Sequence, residues 1–140
     1  MGLLTTFFVA TKPEAIAYTG STQLPPEDVL ESGGLHIFHL AVLRGIVLEV
    51  PALHGMNELF PLVSDPESEA SWTFGIAEDV RDALIAAGEP ELEAIAEEWI
   101  EAEDMAGCTL EVGLCLLTDL RRLSVRAKET GRGLYLWVSL

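Results

Sequence analysis

The chain has 140 residues, 23 acids against 8 bases, a formal net charge of −15 and 49% hydrophobic residues. That length suits one domain able to bury most of its apolar surface without disulfides or a structural metal. The apolar content argues against disorder, and the charges that interrupt Leu35–Val50, its longest apolar stretch, argue against a membrane span.

Leu3–Ala10 (LLTTFFVA) is rich in β-formers and stops at Lys12-Pro13, which predicts a strand. Gly2 and Thr6 also match the myristoylation pattern M-G-x-x-x-[ST], although a strand accounts for the same residues. No charged segment precedes the apolar start, so no secretory signal is expected and the cytoplasm is the default compartment. Pro25-Pro26-Glu27-Asp28 predicts a short helix, with Pro and acids in its first turn and Gly33-Gly34 at its end. Leu35–Arg44 is the next expected helix, closed by Gly45; because the run to Val50 is apolar on nearly every side, a strand is the alternative. Residues 51–70, with Pro51, Pro61, Pro66 and the acids of DPESE, read as a long excursion before an internal strand at Ser71–Gly75.

Ile76–Ala87 places Ile76, Val80, Ala83, Leu84 and Ala87 on one helical face, and Gly88 ends it. Pro90 starts an acidic helix expected to run to about Ala106. In Leu110–Lys128 the apolar band covers more than half the circumference, too wide for a surface helix, so this last helix is expected to be central. Leu134–Leu140 (LYLWVSL) follows Thr130-Gly131-Arg132-Gly133 and is the natural mate of the first strand. The expected fold class is α+β: a single domain, 1–140, whose small sheet pairs the N- and C-terminal strands and packs against four or five helices. The opening LLTTFFVAT, the aromatic-acidic WIEAED and the closing LYLWVSL together resemble a family of short uncharacterised bacterial proteins. That resemblance implies no activity and no catalytic residues.

The acidic helix carries the strongest functional signal. From Glu89 to Asp104 there is no Lys or Arg, and Glu93, Glu97, Glu101 and Asp104 fall within one quarter of a helix circumference. Like charges at i,i+4 cost a few tenths of a kcal/mol each, so packing must hold the helix or something cationic must meet the stripe. Over the whole chain, residues 1–120 hold 22 acids against 3 bases and 121–140 hold 1 against 5. The basic end, Arg121, Arg122, Arg126, Lys128 and Arg132, suits the negative pole of its own helix and the acidic helix before it. Nucleic acid and anionic membranes need an exposed basic track and are poor partners; a basic protein or a cationic ligand is the better match.

Two further constellations compete with that reading. Glu103 falls one turn beyond Trp99 in the apolar arc of the acidic helix, and Arg121 lies in the apolar band of the last helix, which predicts a structural ion pair between them. His36 and His39 share a helical face with His54 as a possible third ligand, but no H-E-x-x-H or paired C-x-x-C accompanies them, so no metal is expected. Asp65, Glu67 and Glu69 alternate like the start of a calcium loop, which fails at Ala70 and Ile76. Cys108 and Cys115 are too far apart on a helix to bridge and read as reduced thiols. Trp72, Trp99 and Trp137 each fall within an expected element, as core residues do; beside DPESE at the surface, Trp72 would instead offer aromatic and acid to a cation. No nucleophile motif or phosphate-cradling loop is present, so the sequence leans away from an enzyme and implies no cofactor. The leading expectation is an acidic binding module that presents Pro90–Ala106 to a basic protein through Glu93, Glu97, Glu101 and Asp104. The alternative is a small-molecule or hydrolytic site built from His36, His39 and Glu103.

Overall fold

A computed structural model describes residues 4–19, 22–33, 35, 37–49, 60–64, 67, 71–102, 105 and 107–139. In chain order the elements are β1 (Leu4–Ala10), α1 (Lys12–Ala17), β2 (Val29–Gly33), α2 (Ile37–Leu48), β3 (Ser71–Gly75), α3 (Glu78–Ala86), α4 (Glu89–Ile100), α5 (Leu110–Thr130) and β4 (Gly133–Ser139). The strands form one antiparallel sheet in the order β2-β1-β4-β3, with the two terminal strands at its centre. The fold is α+β as expected, and the last helix is central, packing on α3, α4 and the strands.

Register explains why β1 is buried on both sides. Phe7 faces Leu30 and Leu136, and Val9 faces Leu134, so these residues share the inner face with the helical core. Phe8 and Ala10 point the other way and join Ala15, Tyr135, Tyr18 and Trp137 in a smaller outer cluster. Beneath the inner face, Leu117, Leu120, Leu123 and Ala127 of α5 meet Leu84 of α3 and Ala96 and Trp99 of α4. Gly113 marks the close approach of α4 and α5: a Cβ there would stand 2.8 Å from Cγ2 of Ile100.

Several boundaries differ from the expectation, each for a local reason. The predicted helix after Pro25 is a single 3-10 turn, Pro26–Asp28, followed by β2. Val29, Leu30 and Glu31 alternate with period 2, and pairing with the open edge of β1 satisfies more backbone than one isolated helical turn could. α1 went unpredicted although Thr11 and Glu14 form a capping box: the Thr11 N–H donates to Glu14 at 2.9 Å and the Glu14 N–H to Thr11 at 3.4 Å. α2 is helical rather than extended and runs through Gly45 to Leu48; the left-handed turn falls instead at Glu49, with φ 56°. α4 stops at Ile100 rather than near Ala106, with Glu101 as its cap. Carboxylates crowd the negative pole of that helix, and no basic residue in its last turn opposes them. α5 matches closely, from the Thr109 cap, which accepts from the Val112 N–H at 3.2 Å, to Gly131 at φ 66°.

Candidate functional site

The acids of α4 divide into two groups by their place on the helix. Glu89 and Glu91 lie in the first turn, where the helix dipole favours negative charge. Glu93 and Glu97 are exposed further along, and Glu101 is exposed at the C-cap, where the dipole opposes it. Asp104, the fourth member of the stripe, lies outside the described residues.

Among the described residues no base pairs with Glu93, Glu97 or Glu101. All eight Lys and Arg are among the described residues, and every arginine is held elsewhere. Arg44 pairs with Asp79 at 3.1 Å, Arg81 with Asp82 at 3.1 Å, and Lys128 with Asp82 at 3.6 Å. Arg122 reaches Asp119 at 3.9 Å and donates to the Glu27 carbonyl at 2.9 Å. Arg126 and Arg132 converge on Asp28, which is 3% exposed: Nε of Arg126 lies 2.9 Å from Oδ1, and Arg132 adds a two-pronged contact at 3.0 Å to each oxygen. Burial works against ionisation of Asp28, but the two guanidinium groups outweigh it and lower its pKa. Arg122, Arg126 and Arg132 of the basic end therefore clasp the turn before β2, and Lys128 reaches α3, not the acidic helix.

Arg121 has a different task. Its Nε donates to the Ala87 carbonyl and its Nη2 to the Ile85 carbonyl, both at 3.1 Å, so it closes the end of α3. Its predicted partner Glu103 lies outside the described residues. Arg121→Ala should cost about 1–2 kcal/mol in urea unfolding, the scale of two charge-assisted bonds at a helix C-terminus. Arg121→Lys, a point charge without the planar fork, should recover only part of it. Additivity with Glu103→Gln would show that Glu103 takes no share in holding the guanidinium.

Beside the stripe, α4 and α5 leave two adjoining recesses. One, of about 460 Å³, is lined by Glu89, Pro90, Leu92, Glu93, Leu114 and Thr118. The other, of about 610 Å³, continues past Leu92 and Thr118 to Val125 and ends at Arg121 and Arg122. Together they form a groove with an apolar floor and, at one end, a carboxylate rim.

The remaining predicted residues are dispersed. His39 is buried in α2, and its carbonyl accepts the Trp99 indole N–H at 3.2 Å; His36 and His54 lie outside the described residues. Among the described residues no three of His, Cys, Asp and Glu are placed to hold a metal ion, and no helix is long and apolar enough to cross a membrane. Cys108 is half-buried and Cys115 exposed, both as free thiols. Trp72 is half-buried on β3, while Asp65, Pro66, Ser68 and Glu69 of the DPESE stretch lie outside the described residues. Glu31, which the register sets across Thr6 from Trp137, and Tyr18, whose ring meets Trp137, escaped the sequence reading. Tyr18 follows a helix that was not predicted, and Glu31 fell inside a helix that is a strand. Compared with protein families, curated proteins and solved structures, the chain matches none.

Proposed function

We propose that the protein is a binding module that receives a basic protein segment along α4. The observation carrying this reading is that Glu93, Glu97 and Glu101 are exposed in one strip while every arginine of the chain is engaged elsewhere. Stability gives no reason for Glu97 and Glu101, since each opposes the helix dipole and repels its neighbour along the stripe. A cationic partner relieves both costs. The groove beside Glu89 and Glu93 offers the partly exposed Leu114 and Val125 to the apolar residues of that partner, and the carboxylates steer its approach.

Changing Glu93, Glu97 and Glu101 together to Gln should leave the fold intact and raise its stability by about 0.5–1 kcal/mol through relieved repulsion. A basic protein captured from native lysate by the wild-type chain should associate more slowly with this variant, and the salt dependence of its on-rate should flatten. Equal association rates at low salt would reject the reading.

A further inference from the structure

A separate recess lies on the face of the sheet opposite α2–α5, the face on which α1 packs. Thr6 of β1 stands opposite Glu31 of β2 and Trp137 of β4. Carboxylate and indole therefore rise from one row across the strands, on either side of a threonine and about 10 Å apart at the backbone. Tyr18, just past the end of α1, closes one end: its ring stacks on Phe8 at 4.2 Å and meets Trp137 edge to face at 5.7 Å and 70°. With Leu4, Thr5 and Ser32 these residues line a cleft of about 440 Å³, within the range of small-molecule sites. Leu4 at the other end is 61% exposed.

We propose that this cleft binds a small alkylammonium ion, seated against the Tyr18–Trp137 corner with Glu31 as its counter-charge. Aromatic rings attract a cation held within about 6 Å of the ring centroid, and two rings set nearly at right angles can both contact the methyl or methylene groups of one ammonium. Glu31 is exposed and forms no ion pair among the described residues, so its charge is available. The Tyr18 phenol has a raised pKa, through burial first and also through the nearby Glu31 charge, against the effect of a Thr6 hydrogen bond. It therefore stays protonated at neutral pH and can hydrogen-bond a polar group on the ligand. A bare metal ion demands several oxygen ligands at fixed distances, and the cleft supplies one carboxylate. An anion meets a chain of net charge −15, and a neutral apolar molecule gains nothing from Glu31. This site shares no residue with the α4 groove and stands or falls apart from it.

The test is titration with choline, followed by the shift of its N-methyl resonance, beside its neutral isostere 3,3-dimethylbutan-1-ol. Choline should bind saturably with a Kd of about 1 mM or tighter, and the isostere about tenfold more weakly. Glu31→Gln, at an exposed strand position, should weaken choline about fivefold, and Trp137→Leu about tenfold with unchanged circular dichroism. The Glu93, Glu97 and Glu101→Gln variant should bind choline as the wild type does, which separates this site from the stripe. Equal binding of the isostere, absence of saturation, or full affinity in Glu31→Gln would overturn the assignment. If Trp137→Leu fails to fold, Glu31→Gln and the isostere decide it.

Discussion

Asp28→Ala is expected to destabilise the protein by about 2–4 kcal/mol in urea unfolding at neutral pH. Breaking a buried ion pair from one side typically costs about 3–5 kcal/mol, because the partner charge is left poorly solvated. Here the Arg126 side chain is 39% exposed and the Arg132 side chain 21%, so water recovers part of that loss. The same carboxylate predicts a pH dependence. Its folded pKa lies below the unfolded value of about 3.9, so its contribution is complete above that pH and is lost as pH falls through the folded pKa. Stability of the wild type should therefore drop on acidification below about pH 4, and Asp28→Asn should flatten the part of that slope that belongs to this group. A variant with wild-type stability at pH 7 would show that the clasp holds nothing.

Trp99→Ala should cost about 3–5 kcal/mol, the range for removing a fully buried aromatic side chain. Trp99 is 0% exposed and ties α4 to α2 through the His39 carbonyl as well as by packing. Trp99→Phe keeps most of the ring but drops the indole N–H, and should cost about 1–2 kcal/mol for the smaller volume and the lost bond. The ordering Ala worse than Phe worse than wild type, read from urea midpoints at constant slope, checks both contributions. Equal losses for Ala and Phe would mean that the hydrogen bond, not the packing, holds the two helices.

Strong, long-period patterns in the sequence translated directly into structure. The broad apolar band of Leu110–Lys128 marked the central helix, and the β-rich ends marked the paired strands, since both signals come from burial that no local alternative can satisfy. The misreadings fall where a tertiary partner decided between short local options. Val29–Gly33 became a strand because β1 lay open beside it, and Gly45 did not end α2 because packing of Leu43 and its neighbours outweighs a glycine cost of about 1 kcal/mol. Exposure at Glu93, Glu97 and Glu101 followed from helical spacing alone. The Tyr18–Trp137–Glu31 cleft could not: its members are far apart in the chain, the register of three strands sets Glu31 and Trp137 on either side of Thr6, and the end of α1 adds Tyr18.

That register also dictates an order of events during synthesis. β1 precedes the other three strands and pairs along its length, Leu4 with Ser139 through Ala10 with Gly133, with the one that comes after all of them. On its other edge β2 arrives early, so a two-stranded ribbon with α1 folded across it can form while the rest of the chain is still being added. The edge of β1 that faces β4, with Phe7 and Val9 beside it, has no native neighbour until β4 has been made. A growing chain thus carries an unsatisfied sheet edge while all the elements between β2 and β4 are added, and closing it requires a contact between sequence-distant segments that is intrinsically slow. Vulnerability to aggregation is concentrated in that interval, and a chaperone that shields the β1 edge would act before the helical core exists.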